Sequence, residues 1–263
     1  MEPAHAYQFY IDEFSVTRSG AVIFDDKFND GNPPPSAPNF TNGVSASYFV
    51  NGTMGPESSG KLTLDGSGAV PFPNPTGDQF VRQKATLQTN IDPTSPAGLK
   101  QNVTFSVTGV FDLIIPTELR EAYNVMFNDW TPTNTANDIV MMRVIRTQTN
   151  NLMVQLAHLD YKIGTVTIID QTPLDTSHDQ IALTLARADT STDAITGSFY
   201  YIDGGIAGST TTFANTMDIF TDENFTRAAF EAFKPAPVPI PGTMLLLGLG
   251  LIGLAGVRRK FKN

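Results

Sequence analysis

Three histidines, His5, His158 and His178, supply the imidazoles of this sequence. No two of them stand at H-x-x-x-H or H-E-x-x-H spacing, so no single helix face can offer two imidazoles to zinc. There is no cysteine, which removes thiolate metal sites, disulfides and cysteine nucleophiles. Neither a G-x-S-x-G elbow nor a phosphate-cradling Walker loop occurs. Glycoside hydrolysis needs two carboxylates facing one cleft. The acidic clusters here are adjacent pairs, Asp12-Glu13, Asp25-Asp26 and Asp222-Glu223. Adjacent residues on a strand face opposite sides, so such pairs do not converge. Asp25, Asp26, Asn29 and Asp30 place four oxygen donors within six residues, beside Gly31. Calcium accepts such ligands in a flexible loop, and a solvated turn uses the same residue types. The one tryptophan, Trp130, stands in the loop-like run Asn128-Asp129-Trp130-Thr131-Pro132. It could stack on a sugar ring or cover a core edge. The four Asp and Asn residues are therefore the candidate calcium ligands and Trp130 the candidate ligand contact. No residue is nominated as catalytic, and the chain is read as a non-enzyme.

The elements that must position these residues read as strands. Phe9, Ile11 and Phe14 interleave partly with polar residues, and Gly60 to Asp65 alternates up to a glycine turn. Between Gln101 and Phe111 one face collects Val103, Phe105, Val107, Gly109 and Phe111. Further strands are expected over Asp138–Arg146, Leu152–Leu156, Tyr161–Ile169, Gln180–Ala186 and Gly197–Ile202. The last of these runs into Asp203-Gly204-Gly205, a tight-turn sequence. Helix is scarce. Pro116 to Met126 is expected to form one or two helical turns. Thr221 to Phe230 reads either as a short capped helix or as a last strand. The pattern predicts an all-β body, a two-sheet antiparallel sandwich of jelly-roll or lectin-like type.

Charge narrows the partners. The chain has 263 residues with 41% hydrophobic and only 16% charged residues. Arg258, Arg259, Lys260 and Lys262 carry four of its 17 positive charges. The rest holds 13 positive against 26 negative charges, near −13. An acidic body lacks the cations that nucleic-acid phosphates require, so no nucleic acid is expected as partner. Solubility through self-repulsion, or cation binding, fits that charge.

Phe24-Asp25-Asp26-Lys27-Phe28-Asn29-Asp30-Gly31, with Asp179-Gln180-Ile181-Ala182-Leu183 and Tyr200-Tyr201-Ile202-Asp203-Gly204-Gly205, gives the body a loose similarity to the concanavalin A-like lectin/glucanase sandwiches. The resemblance implies a lectin-like fold. The Glu-x-Asp-x-x-Glu motif of the glucanase relatives is missing, and one tryptophan is few for a sugar-cleaving groove.

The carboxyl end has three parts in order. Lys234 to Thr243 alternates prolines at 235, 237, 239 and 241 and should be extended. An apolar stretch runs from Met244 to Val257, or from Ile240 if counted generously. Eighteen residues at helical rise span about 27 Å, enough for a bilayer core. The basic cluster Arg258, Arg259, Lys260 and Lys262 follows and should stay cytoplasmic. Val238-Pro239-Ile240-Pro241-Gly242-Thr243, the apolar span and the basic end together resemble the PEP-CTERM sorting signal, in a Val-Pro-x-Pro variant. The resemblance implies export from a Gram-negative bacterium and transient residence in the inner membrane through a C-terminal transmembrane helix. It further implies processing by an exosortase near Val238 to Thr243, then delivery to the cell surface or an exopolysaccharide and biofilm matrix. Ala4-His5-Ala6 has the small-x-small form of a signal-peptidase site. The expected layout is a signal-peptide remnant over 1–6, the sandwich over 7–233, a Pro-rich linker over 234–241 and the sorting helix over 242–263. The expected function is that of a non-catalytic surface or matrix protein. The alternatives are a calcium-supported carbohydrate-binding module and a secreted polysaccharide hydrolase.

Overall fold

Alternating apolar residues can be buried on one side of a strand only if a second sheet covers that side. A computed structural model describes residues 8–36, 40–41, 47–66, 69–73, 79–88, 103–130, 137–160, 165–192, 194–218 and 226–236. Its strands begin with β1 (Phe9–Arg18), β2 (Ala21–Asp26), β3 (Phe40–Thr41), β4 (Tyr48–Asn51), β5 (Glu57–Ser58) and β6 (Lys61–Leu64). There follow β7 (Val70–Pro73), β8 (Gln79–Leu87), β9 (Phe105–Asp112), β10 (Ala122–Trp130), β11 (Asn137–Arg146) and β12 (Leu152–Asp160). The last are β13 (Thr165–Pro173), β14 (Gln180–Arg187), β15 (Ala194–Asp203), β16 (Ile206–Ala207), β17 (Thr211–Thr212), β18 (Met217–Asp218) and β19 (Thr226–Pro235).

All pairings are antiparallel, and they form two sheets. The first runs β16-β15-β14-β9-β1-β2-β3, with β17 and β18 on β15 and the β5–β6 hairpin on β1. The second runs β13-β12-β11-β10-β19-β8-β4, with β7 on β8. The core between them is aromatic. Phe14, Phe24, Phe28, Tyr48 and Phe230 meet mostly edge to face, at centroid distances from 5.1 to 6.4 Å. Such edge contacts suit the ring quadrupole and add to the stabilisation from burial.

The expected alternation of Phe105, Val107, Gly109 and Phe111 is present in β9. In β1 the buried residues are Phe9, Ile11, Phe14 and Val16. The spacing slips by one after Ile11 because the register with β9 shifts between Ile11 and Glu13. That irregularity is why the sequence alternates only in part there. Asp203-Gly204-Gly205 makes the expected turn, with φ of 55° at Gly204 and 80° at Gly205.

Two expectations are corrected. Pro116 to Met126 holds no helix. Thr117 to Glu121 is a turn tied by the Glu121 carboxylate, which accepts from the Thr117 and Glu118 amides at 2.5 and 2.7 Å. Strand β10 starts immediately afterwards. Tyr123, Val125 and Phe127 point into the core, but Met126 on the other face is buried too, so the period of two was hidden. At the end of the body, Thr226 to Phe230 falls in strand β19, the second of the two readings. Trp130 is the last residue of β10, opposite Asn137, and not in a loop. Residues 1–6, the motif Val238 to Thr243 and the helix over 242–263 lie outside the described residues. Among the described residues no helix is long and apolar enough to cross a membrane.

Candidate functional site

The Asp25 to Asp30 segment leaves β2 and turns, but its carboxylates part company. Asp26 is buried; it accepts from the Phe28 amide and from the Tyr48 hydroxyl, each at 3.0 Å. Burial pushes its carboxyl above the usual range, and those two bonds oppose the shift. Asp25 instead pairs with Lys27 at 3.6 Å. Asp30 accepts from the Asn32 amide at 2.8 Å, and Asn29 is exposed. Glu57, at the start of β5, joins them from elsewhere in the chain. It accepts from the Gly31 amide at 2.9 Å. Burial, then a hydrogen bond and charge repulsion from Asp30, raise its carboxyl to about 7. Among the described residues no group of three or more Asp, Glu or His side chains is arranged to hold a metal ion.

A second titratable cluster lies on the loop between β13 and β14. His178 Nδ1 is 2.7 Å from Asp203 Oδ2, and its Nε2 is 3.5 Å from Asp175. The ring stacks on Tyr201 at 4.2 Å. Asp203 raises the His178 pKa above its ordinary value. His158, by contrast, bonds Asp138 across the β11–β12 register at 3.0 Å. A third cluster joins Asp12 and Asp112 through the Lys61 ammonium, at 3.7 and 2.6 Å. Each is an acid–base arrangement at a strand or loop edge, and in the His178 and Lys61 clusters two carboxylates share one basic group.

A concave site forms elsewhere, on the face of the second sheet turned away from the core. The antiparallel register sets Lys84, Glu231, Asn124, Arg143, Gln155 and Gln171 side by side across six strands. Asn124 Nδ2 donates to Glu231 at 3.3 Å, and Gln155 Nε2 to Gln171 at 2.8 Å. Arg143 Nε and Nη2 both donate to Gln155 Oε1, at 3.0 and 2.8 Å. The next row along the strands is apolar: Ala229, Met126, Met141 and Ala157 are all buried, with Ile139 and Leu159 beyond them. A polar row thus borders an apolar row on one face.

Where these rows meet the β11–β12 hairpin, a cavity of about 390 Å³ opens. This volume lies at the small end of ligand pockets. Met141, Leu159, Val166 and Ile168 make one wall, and Phe80 and Phe233 another. Thr147, Gln148 and Thr149 form the rim. Three guanidiniums line it, Arg82, Arg120 and Arg143, with one carboxylate, Glu231. Arg120 lies over the Phe80 ring, its Cζ 4.7 Å from the centroid. Arg82 is 3.6 Å from Glu231. Burial, then repulsion from Arg120, lowers the Arg143 pKa to about 10. Burial and the charge of Arg82 likewise lower neighbouring Lys84 to about 8. The Asp25 to Asp30 group is not among the residues lining this cavity, and nothing in the separate sequence segments 80–82, 120, 141–168 and 231–233 announces it. Only the register brings them together.

Residues 237–260 match the PEP-CTERM protein-sorting motif. That motif implies export, and membrane-associated processing by an exosortase, in a Gram-negative bacterium. No curated protein matches the chain. Among solved structures, the chain is similar to the CBM2 module of the evolved Dit protein of Lactobacillus casei BL23 phage J-1. The identity is 11% over 86% of this chain and 89% of that one, with a TM-score of 0.41. It is also similar to a Bacillus licheniformis beta-glucanase, at 11% identity over 90% and 88% of the two chains and a TM-score of 0.32. A protein of unknown function from Shewanella oneidensis MR-1 aligns at 10% identity over 90% and 93%, with a TM-score of 0.34.

Proposed function

We propose that this is a surface or extracellular-matrix protein, processed by an exosortase, whose sandwich works by binding and not by catalysis. The observation that carries the proposal is the sorting motif at 237–260, starting one residue after Ala236, where the described body stops. The sandwich is the cargo and the tail its address. The exopolysaccharide matrix is the expected partner outside the cell. The cavity's charge content speaks against one reaction in it, glycoside hydrolysis. Cleaving a glycosidic bond needs two carboxylates, whereas the cavity is lined by Glu231 alone, already engaged by Asn124 and Arg82.

The test is expression of the full chain, with a tag ahead of residue 226, in a Gram-negative host with and without its exosortase. The expected result is loss of the tail and departure from the inner membrane only where the exosortase is present. Equal mass and equal fractionation in both strains would refute the processing. Release of reducing sugar by the purified chain, abolished by Glu231→Gln, would refute the non-catalytic half.

A further inference from the structure

The outer-face cavity runs against the charge of the molecule around it. The chain before the basic end carries about twice as many negative as positive charges. Yet among the residues lining the cavity three guanidiniums face one carboxylate. Buried charges in proteins are normally paired, because desolvating an ion is costly. Arg143 is buried, and the charges that act on it most are Arg120, which repels it, and Glu231, which attracts it without touching it. Its five N–H groups are incompletely used. Two converge on the single oxygen of Gln155, and one points at the Met141 sulfur at 3.6 Å. Two remain, on a planar fork whose natural complement is a planar carboxylate.

The rest of the lining adds two more requirements. The rim offers a side-chain amide at Gln148, while the Thr147 and Thr149 hydroxyls bond each other at 3.0 Å and accept from Asn151 but keep one O–H between them, and these groups suit a ligand with hydroxyls. The walls of Met141, Leu159, Val166 and Ile168 suit the C–H face of a ring. A ligand with one carboxylate, several hydroxyls and an apolar ring face meets all three conditions. We propose that this cavity is a binding site for an acidic saccharide, with the uronate carboxylate held by Arg143. The inference rests on reading the sandwich as a binding module, and adds the chemical class of its ligand.

The test is calorimetric titration of the full chain in detergent micelles with trigalacturonate, its fully methyl-esterified form, the neutral galactotriose and inorganic phosphate. Trigalacturonate should bind, and the ester and the neutral sugar should bind at least about tenfold more weakly, since a hydrogen bond to a charged group is at stake. Affinity should fall as salt is raised. Because Arg143 is buried, Arg143→Gln could disturb the fold. Gln148→Glu changes an exposed rim residue and serves as the second variant. It should abolish trigalacturonate binding with an unchanged melting curve. Equal binding of acid and ester would overturn the inference while leaving a saccharide-binding module intact. Phosphate binding as tightly as trigalacturonate would reduce the cavity to a plain anion site and overturn it too. Absence of binding by every saccharide would sink this inference and count against the binding half of the proposed function, while exosortase processing would stand or fall by its own fractionation test.

Discussion

Glu57 and Asp30 hold two carboxyls within hydrogen-bonding reach of each other, and the repulsion between their charges is relieved by a proton. The folded Glu57 pKa of about 7 lies above the ordinary 4.5. Between those values the fold binds more protons than the unfolded chain. The stability from neutral Glu57 is therefore present at low pH and is lost as pH rises through about 7. Glu57→Gln should flatten this part of the profile, read as the difference in urea midpoints between pH 5 and pH 7.5 relative to the unmutated chain. Identical slopes in the two proteins would remove Glu57 from the account. His178 offers an independent check on charge at one residue. Its imidazole, drawn up by Asp203, should titrate above 6.5 in an NMR experiment, and Asp203→Asn should bring it back down. The same arithmetic of single residues applies to calcium. Asp26 spends both oxygens inside the fold and Asp25 turns to Lys27, so adding chelator should leave the melting temperature unmoved. A drop on chelation would restore the calcium reading of that loop.

At the scale of elements, β9 and β10 pack face to face across the core. An added Cβ on Gly109 would lie 2.5 Å from Val125 Cγ1 and 2.8 Å from Phe111 Cε2. Gly109→Ala should cost about 1–3 kcal/mol, measured by denaturant unfolding. Val125→Ala in the same chain should recover part of that loss by opening the space, and a purely additive double mutant would show that the clash is not the cause. The strands themselves were largely legible beforehand, because β9, β14 and β15 bury one face and wet the other. Burial of both faces did not hide β11, which was expected over Asp138–Arg146, but it did hide β10. In β10 the outward Met126 and Asn124 are as dry as the inward Tyr123 and Phe127, so the periodic signal vanished and one or two helical turns were expected instead. The cavity was illegible for a related reason. Arg143 and Gln155 sit on one hairpin and Glu231 is distant in sequence, and each alone looks like an ordinary polar residue on a strand. They become a row only through the pairing register, which no local pattern encodes. The tail is the opposite case, since motif, span and basic end are contiguous and could be read directly.

For the whole molecule, charge is segregated. The body is acidic, one cavity on it is basic, and the residues after the apolar stretch are basic again. Replacing Arg258, Arg259, Lys260 and Lys262 by glutamine should remove the positive-inside signal expected to keep that end in the cytoplasm. A reporter enzyme fused after Asn263, active only on one side of the membrane, should then report a share of molecules with that end outside. An unaltered reporter signal would mean that other features set the orientation.

Strand β19 lies between β10 and β8, in the interior of its sheet, and it leads through Ala236 into the sorting tail. Synthesis reaches it after every other strand of that sheet. Until then β10 and β8 have no common neighbour, the Phe230 ring is missing from the aromatic core, and neither Glu231 nor Phe233 is there to line the cavity. The sandwich can close only when β19, its closing strand, has been made, with the tail immediately behind it. Folding is thereby timed to the arrival of the address, and a chain cut short before β19 would emerge with an open sheet edge for proteases to find.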